Sequence, residues 1–581
     1  MPPRLMAPAP PAVPAGGAGK GNAMQVLAWR GLRRGLRCLL WVALLGVTAA
    51  HAADRPNVLV IVVDDMGFSD LGSFGGEIDT PNLDRLAYAG VRFSRFHAMP
   101  ACSPTRAALL TGVDPHLAGL GSLYEELSPN QKGQPGYEGH LNERVVSIAT
   151  VLRDAGYRTY LSGKWHLGNT PEQGPHSQGF DRSFALLSGG ASHFADMRPA
   201  YHPDPEAKAS YVEDDRLLER LPADFRYSSQ FYVDRLLQYL KADQGSRQPF
   251  FAVLAYTAPH WPLQAPDATI EKYAQRYAGG YDQLYRQRRA RVAELGLLPE
   301  AAEPPRPPKA LPWQQLSPAE RRWHARAMAV YAAMIDEIDL HSGRLLDYLA
   351  STGKLDDTLV IFLSDNGPEG HDLDETWPAD VFPEIRKVID ERHDFSVENM
   401  GRPGSYTLYG AGWARAGAPG LRLYKGFPSE GGTRVAAFMH FPAGIRGGRI
   451  VSEPVSVEDL APTILDYAGV PRHRGSYRGR AVYPMGGLSL APMLSGAPWT
   501  PGTRGVELFG KYALRDGDWK LLVMPPPYAS GRAELYNIAE DPGESRNLAA
   551  EHPQKLSAML ANWRRYQTEN GVILPDWVSG Y

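Results

Sequence analysis

Three stretches of the chain are hydrophobic at almost every position, a pattern that predicts strands buried on both faces of a parallel sheet. They span residues 57–63, 250–256 and 359–363, and polar residues follow each of them closely. Residues 147–155 predict an amphipathic helix, and residues 157–162 predict the short strand that follows it. Because strands alternate with helices, we expect an α/β fold with a large mixed, mostly parallel sheet that is flanked by helices.

The longest predicted helix begins at Ser317. There Ser-Pro-Ala-Glu combines a capping box with proline at the first helical position, and the helix is expected to end at Gly353. Its hydrophobic residues recur at helical spacing, which predicts that one face packs in the core. The proline-rich residues 298–312 predict a loop before this helix.

The pattern changes near residue 505, where short strand-like stretches follow one another closely. The tripeptide Asp-Gly-Asp at residues 516–518 joins two of them and predicts a hairpin. We therefore expect a main α/β domain over residues 53–500 and a small C-terminal subdomain, with an antiparallel sheet and a closing helix, over residues 501–581. The predicted strands span residues 506–509, 512–515, 519–524 and 534–538, and the helix spans residues 553–568.

Residues 1–52 resemble an export signal. Four arginines precede a short hydrophobic run at residues 38–47, and Ala50-His51-Ala52 fits a cleavage site. The run is too short for a transmembrane span of about 20 residues. We expect cleavage near Ala53, a periplasmic or secreted protein, and no stable membrane insertion afterwards; an uncleaved anchor is the alternative.

Cleavage would also change the charge and the cysteine content. The whole chain has a formal net charge of -3, and residues 1–52 contain six basic residues and no acidic one. The mature chain would therefore be acidic, which argues against a nucleic-acid partner, since such a partner needs a basic face. One of the two cysteines, Cys38, lies in the cleaved part, so Cys102 would be left alone and could form no internal disulfide.

Cys102 stands where a helix is expected to begin. It opens the pentapeptide Cys-Ser-Pro-Thr-Arg, in which the proline favours the first turn of a helix. Backbone N–H groups and the helix dipole at such a terminus favour an anion, and Arg106 adds a positive charge about one turn along. A lone cysteine is most often an inert buried side chain, so its position alone does not indicate a nucleophile.

This segment resembles the signature of the sulfatase family, in which Cys-x-Pro-x-Arg directs oxidation of the cysteine to formylglycine; Cys102, Pro104 and Arg106 occupy these positions. Residues 156–166 resemble a second signature of the same family. Ala101 is a small departure, because a larger aliphatic residue or Ser/Thr is more usual there. The resemblance covers nearly the whole mature chain, is closest to bacterial arylsulfatases, and implies a fold like that of alkaline phosphatase.

Two pairs of polar residues end two of the predicted strands. Asp64 and Asp65 follow one strand, Asp365 and Asn366 end another, and such oxygen ligands suit Ca²⁺ or Mg²⁺. Taken singly, an Asp at a strand end is usually a turn residue. The resemblance implies that these four residues and Cys102 bind one divalent cation, Ca²⁺ with Mg²⁺ as the alternative.

The resemblance also implies a catalytic set at one edge of the sheet. Lys164, His166 and His260 follow predicted strands, and ligands of such sheets bind beyond the carboxyl ends of the strands. Ser192-His193-Phe194 and Tyr424 are further candidates for contact with substrate. The implied catalytic residues are Cys102, Arg106, Lys164, His166, His260 and Lys425.

The resemblance implies hydrolysis of a small-molecule sulfate ester, with aryl sulfates expected, to an alcohol or phenol and inorganic sulfate. A formylglycine-generating maturation enzyme would first oxidise Cys102, and one hydroxyl of the hydrated aldehyde would attack sulfur with the help of the cation and Asp365. His260 and Lys425 would assist the leaving group. His166 would help to deprotonate the second hydroxyl, which then expels sulfate.

Three alternatives stay open on the sequence. A phosphatase or phosphonate monoester hydrolase of the alkaline phosphatase superfamily would share the fold and the metal residues. A non-catalytic binder of sulfated ligands would keep the lysines and need no modified cysteine. A plain cysteine hydrolase is the third, and the sequence shows no evident Cys-His-Asn pattern for it.

Overall fold

The structure is a computed structural model that describes residues 55–577 and the isolated position 12. Apart from that position, the predicted signal region and its cleavage site lie outside the described residues. Residues 56–577 belong to one compact unit, and the domain boundary predicted at residue 500 stays a prediction. No helix within the described part of the chain is long and apolar enough to span a membrane.

Eighteen strands are found among the described residues. In chain order they are β1 (Asn57–Val63), β2 (Val91–Phe93), β3 (Phe96–His97), β4 (Arg158–Lys164), β5 (Arg182–Leu186), β6 (Tyr211–Glu213), β7 (Arg216–Leu217), β8 (Phe250–Ala255), β9 (Thr358–Ser364), β10 (Ala437–His440), β11 (Arg449–Val451), β12 (Val455–Ser456), β13 (Ser476–Tyr477), β14 (Arg480–Ala481), β15 (Arg504–Leu508), β16 (Lys511–Asp516), β17 (Trp519–Val523) and β18 (Glu534–Asn537). The three hydrophobic stretches of the sequence are confirmed as strands β1, β8 and β9.

Ten of these strands form the central sheet, in the spatial order β11-β2-β10-β9-β1-β8-β4-β5-β6-β7. The five strands from β9 to β5 in that order run parallel to one another. Strand β10 is antiparallel to both of its neighbours, and β6 and β7 close the other side in antiparallel pairs. The predicted mixed, mostly parallel sheet is therefore confirmed.

Both faces of this sheet are buried. Along β1, Leu59 and Ile61 pack in one hydrophobic cluster, and Val58 and Val60 pack in a second cluster on the opposite face. Because side chains alternate across a strand, a strand covered on both sides needs hydrophobic residues at every position.

Helices supply that cover. They are α1 (Pro81–Ala89), α2 (Cys102–Thr111), α3 (Pro115–Ala118), α4 (Ile148–Asp154), α5 (Ser228–Ala242), α6 (Asp267–Tyr273), α7 (Tyr281–Glu294), α8 (Pro318–Ser351), α9 (Leu373–Thr376), α10 (Pro383–Arg392), α11 (Gly410–Gly417), α12 (Glu430–Thr433), α13 (Leu460–Tyr467), α14 (Ala491–Leu494) and α15 (Pro553–Asn570). The capping box predicted at Ser317 is present at the start of α8. Residues 298–312 contain no helix or strand, as predicted.

The C-terminal sheet is antiparallel, in the order β15-β16-β17-β18, and α15 packs on it through Met559 and Trp563. The predicted small antiparallel sheet with a closing helix is thus confirmed. The turn between β15 and β16 brings Leu508 and Phe509 into a buried cluster with Cys102. The C-terminal sheet therefore forms part of the wall around the cysteine.

His116, on α3 directly after the cysteine helix, ties the main sheet region to the C-terminal sheet. Its Nδ1 lies 2.9 Å from Asp114 Oδ1, and its Nε2 lies 3.3 Å from Glu507 Oε2 on β15. Tyr566 on α15 donates to the second oxygen of Asp114 at 2.6 Å. Burial opposes protonation of the ring, but hydrogen bonds and charge from the two carboxylates outweigh it and raise the pKa of His116 to about 9.

The stability of the fold is expected to depend on His116 between neutral and alkaline pH. Because its pKa in the folded chain exceeds the ordinary value of 6.5, its contribution is fully present below pH 6.5 and is lost as the pH rises through about 9. A shift of this size corresponds to roughly 3 kcal/mol of unfolding free energy. In urea unfolding, the free energy of unfolding of His116→Gln should lie well below that of wild type near pH 6 and close to it above pH 9. The same difference at both pH values would contradict this role.

Candidate active site

Two pairs of polar residues, three acids and one amide, meet at the carboxyl edge of the central sheet. Strands β1 and β9 are parallel neighbours, so Asp64 and Asp65 lie beside Asp365 and Asn366. All four side chains are fully buried. The amide of Asn366 donates to Asp65 Oδ1 at 2.7 Å, and the backbone N–H of Asp65 donates to Asp365 Oδ1 at 3.3 Å. The structure thus brings together the four residues that the sequence indicates as metal ligands.

Helix α2 places the cysteine beside these acids. The helix begins at Cys102, as predicted, and Arg106 lies about one turn along it. Arg106 donates from Nε and Nη2 to Asp365 Oδ2 at 2.9 and 2.7 Å, and from Nη1 to the carbonyl of Lys164 at 2.9 Å. This buried ion pair fixes the cysteine helix against the ends of β9 and β4.

Two lysines balance part of the acidic charge. Lys164 Nζ lies 2.6 Å from Asp64 Oδ2, and Lys425 Nζ lies 3.0 Å from Asp65 Oδ2. Lys425 also lies 3.4 Å from Glu369, an acid that the sequence analysis did not identify. The only signal for Glu369 was its position shortly after Asp365 along the chain.

His260 faces the same acids. Its Nδ1 lies 2.6 Å from the carbonyl oxygen of Trp261, which can only accept, so Nδ1 carries the proton and Nε2 points towards Asp65 at 3.7 Å. Burial, followed by the positive charges of Lys425 and Lys164, holds the pKa of His260 well below its ordinary value. The imidazole is therefore neutral.

His166 faces the cysteine itself. Its Nδ1 lies 3.1 Å from Cys102 Sγ, and its carbonyl oxygen accepts a hydrogen bond from Ser103 Oγ at 2.7 Å. Burial raises the pKa of the Cys102 thiol, but Lys164 and His166 outweigh this effect and lower it to about 5. The sulfur is a thiolate at neutral pH, and it marks the place that the oxygens of a formylglycine side chain would take.

The outer side of His166 contacts residues that no sequence motif marked. Its Nε2 lies 3.3 Å from Glu125 Oε1, and Tyr201 Oη donates to the same oxygen at 3.0 Å. Glu125 lies in a short 3-10 helix that spans Tyr124–Glu126. The chain from Cys102 through His166 to Glu125 is a Cys-His-acid arrangement that the sequence did not reveal.

The acidic cluster fits a divalent cation. Ligand atoms of Asp64, Cys102 and Asp365 all lie within 4.8 Å of one another. Asp64 Oδ1 and Asn366 Oδ1 are buried and have no hydrogen-bond partner, a costly state that a bound cation would relieve. Burial, and then the charge of Asp365, raises the pKa of Asp64 well above its ordinary value, as expected for carboxylates that lack their counter-ion. Such an oxygen-rich set suits Ca²⁺ or Mg²⁺.

The further candidates for substrate contact, Ser192, His193 and Tyr424, are bonded to or packed against other protein side chains. His193 Nε2 lies 3.1 Å from the carbonyl oxygen of His260, and His193 Nδ1 lies 2.8 Å from Ser228 Oγ. Ser192 Oγ donates to Gln264 at 3.1 Å. Tyr424 is buried against the ring of His371. His193 therefore holds the backbone of the His260 loop.

Comparison with known proteins agrees with this geometry. The sulfatase family model matches residues 56–470. An arylsulfatase of Klebsiella aerogenes is 39% identical over 458 residues, which cover 78% of this chain and 95% of that protein. An uncharacterised sulfatase of Schizosaccharomyces pombe is 42% identical over 535 residues, which cover 90% of this chain and 95% of that protein.

Solved structures share the fold. The crystal structure of Ps i-CgsB in complex with k-i-k-neocarrahexaose matches with a TM-score of 0.63 and 23% identity, covering 90% of this chain and 95% of that chain. A phosphonate monoester hydrolase from Silicibacter pomeroyi matches with a TM-score of 0.52 and 21% identity, covering 89% and 96%. At these identities the likeness concerns the fold alone.

Proposed function

The chain belongs to the sulfatase family, whose members hydrolyse sulfate esters, and from this premise we propose that it is an arylsulfatase that uses formylglycine made from Cys102 and one divalent cation. The observation that carries the proposal is the position of Cys102 Sγ. It lies within 4.8 Å of the ligand atoms of Asp64 and Asp365 and 3.1 Å from His166 Nδ1. A nucleophile, cation ligands and a proton acceptor thus meet at one buried point.

The two absent groups would supply distinct chemistry. A hydrated formylglycine supplies a hydroxyl nucleophile, and a divalent cation, with Ca²⁺ preferred and Mg²⁺ as the alternative, supplies positive charge next to a sulfate oxygen. The residues that would hold the cation are Asp64, Asp65, Asp365 and Asn366, together with residue 102.

Residues of the chain itself would bind the ester and move protons. Lys164 and Lys425 are buried ammonium groups that would hold sulfate oxygens. Lys425 and His260, which both lie near Asp65, would support the departing oxygen. His166 would take a proton from residue 102 through Nδ1. Arg106, fixed by its ion pair, would stabilise negative charge at residue 102.

The charge balance of the site favours a monoanion. Around the cation site four buried carboxylates face three buried basic groups, and the neighbouring Glu125–His166 pair adds no net charge when His166 is protonated. A divalent cation therefore leaves about one net positive charge. A sulfate monoester carries one negative charge, whereas a phosphate monoester carries nearly two at neutral pH. The acids are Asp64, Asp65, Asp365 and Glu369, and the bases are Arg106, Lys164 and Lys425.

Maturation would have to precede folding. Cys102 is only 2% exposed in the folded chain, so a formylglycine-generating enzyme could not reach it there. We therefore propose that oxidation occurs on the unfolded chain. Export to the periplasm or to the medium stays a prediction.

Parallel assays of matched esters test the proposed function. Matured protein is expected to hydrolyse an aryl sulfate with a kcat/KM more than about tenfold above that for the corresponding aryl phosphate or aryl phosphonate, because the extra charge of the phosphate is not balanced. A higher kcat/KM for phosphate or phosphonate would favour the hydrolases of the wider superfamily. Binding of sulfated ligands without turnover of any ester would favour a non-catalytic binder.

A further inference from the structure

Glu125 is a partly buried acid whose carboxylate contacts two side chains. The same oxygen, Oε1, lies 3.3 Å from His166 Nε2 and accepts a hydrogen bond from Tyr201 Oη at 3.0 Å. Burial would raise the pKa of Glu125, but His166 outweighs burial and lowers it to about 2. Glu125 therefore stands as a carboxylate behind the imidazole that faces Cys102.

An ionised carboxylate can only accept hydrogen bonds. When Glu125 contacts His166 Nε2, that nitrogen must carry a proton, and Nδ1 is then the nitrogen that exchanges a proton with residue 102. Beside the Cys102 thiolate Nδ1 carries a proton, whereas beside a hydroxyl of the hydrated aldehyde it can accept one. Without this contact the neutral ring could place its proton on either nitrogen. Glu125 thus selects the tautomer and the ring orientation that a base at this position needs.

Two further features hold Glu125 and His166 in place. Tyr201 packs its ring against Trp377 and Trp261, with centroids 4.9 and 5.8 Å away, which limits the movement of its hydroxyl. Gly189 leaves room for the contact, because a Cβ there would clash with Tyr201 Oη and lie 2.7 Å from His166 Cε1. A side chain at this position would therefore separate the partners.

The backbone of His166 is also constrained. It has a φ of 55°, in the left-handed region that a non-glycine residue adopts only when its surroundings hold it there. Its N–H donates to the carbonyl of Leu187, and its carbonyl accepts from Ser103 Oγ. Backbone and side chain are thus both fixed so that the ring points at residue 102.

We propose that Glu125, locked by Tyr201 and accommodated by Gly189, is a positioning residue that orients His166 so that Nδ1 accepts a proton from residue 102. The proposal rests on the proposed function and deepens it. Glu125 acts through His166 and does not itself contact the ester. Gln at this position would keep the contact, because its carbonyl oxygen can take the place of Oε1 and its amide can take the place of Oε2, which has no hydrogen-bond partner.

Enzyme kinetics on a set of variants test this role. Glu125→Ala is expected to lower kcat for an aryl sulfate about 100-fold, with KM changed less than about threefold, whereas Glu125→Gln should stay within about tenfold of wild type. The kcat of Tyr201→Phe should lie between those of Glu125→Ala and Glu125→Gln. Rates are divided by the formylglycine content measured by mass spectrometry. Glu143→Gln, which makes the same change at an exposed acid, is the matched control and is expected to stay within about twofold of wild type.

A double-mutant cycle separates positioning from a general structural role. If Glu125 acts only through His166, Glu125→Ala should change kcat less than about twofold when His166 is already alanine. A full additional loss in that background would overturn the proposal, as would an unchanged kcat in Glu125→Ala alone or equal losses in the Ala and Gln variants.

Crystal structures give a readout that does not depend on turnover. In wild type and Glu125→Gln the His166 ring should keep Nδ1 towards residue 102, and in Glu125→Ala it should rotate away. An unmoved ring in Glu125→Ala would overturn the positioning role. Wild-type protein that hydrolyses no sulfate ester would instead contradict the proposed function. The ring orientation in Glu125→Ala would still show whether or not Glu125 positions His166.

Discussion

Replacement of Cys102 by alanine is expected to abolish hydrolysis of sulfate esters, by at least about 10⁴-fold, and to leave the fold intact. The physical reason is that the Cys102 side chain lies beside the carboxylates of Asp64 and Asp365, at the start of a helix that Arg106 ties to the sheet. Removal of one buried sulfur costs little stability, because it also removes a buried thiolate. Turnover and the thermal unfolding midpoint are the measurements.

The matched control for this variant is the wild-type sequence itself, produced in cells that lack the maturation enzyme. It differs from the active protein only in the chemistry of residue 102, which stays a thiol, and it is expected to be as inactive as Cys102→Ala. Mass spectrometry of the peptide that contains Cys102 reports the aldehyde or the thiol. Full activity with an intact thiol would contradict the proposal and would favour a cysteine hydrolase built on Cys102, His166 and Glu125.

Removal of the divalent cation with a chelator is expected to lower activity by on the order of 10²-fold or more, because one charged stabiliser of the sulfate oxygens is lost. Three buried carboxylates would then face one another without their counter-ion, and the anionic ester would meet a more negative site. Ca²⁺, or Mg²⁺ to a lesser degree, should restore the rate. Direct measurement of bound metal in purified protein identifies the natural ion.

Metal removal should also lower stability. A cation that binds only the folded state at 1,000 times its dissociation constant contributes about 4 kcal/mol, so the thermal midpoint should fall on chelation and rise again with Ca²⁺. Asp64→Asn should weaken this response, and Asp224→Asn, which alters an exposed acid, is the matched control. Chelated protein that keeps both its midpoint and its turnover would contradict a cation site at Asp64.

Much of the fold follows from local pattern. A strand covered on both faces must be hydrophobic at every position, so β1 could be predicted with its ends at Asn57 and Val63. The start of α8 could be predicted because a capping box and a proline act within one turn of the helix. The C-terminal sheet could be predicted from strands separated by tight turns.

The sequence also predicted which residues meet at the candidate site, because their position follows from the order of strands in the sheet. Parallel strands end at the same edge of a sheet, so the polar residues after β1, β4, β8 and β9 had to lie near one another. The orientation of each side chain could not be predicted in this way. That Nδ1 of His260 donates to the Trp261 carbonyl, and that Arg106 pairs with Asp365, depends on packing between elements.

The sequence by itself determined the class of fold, the position of Cys102 at the start of a helix and the acids at the strand ends, because hydrophobic period, helix-start chemistry and strand order are local properties. Only the tertiary structure decided that Glu125 and Tyr201 stand behind His166, that Gly189 leaves them room, and that the C-terminal sheet closes around Cys102. These contacts join residues far apart along the chain, lie in loops without a periodic pattern, and exist only once the sheet has brought the loops together.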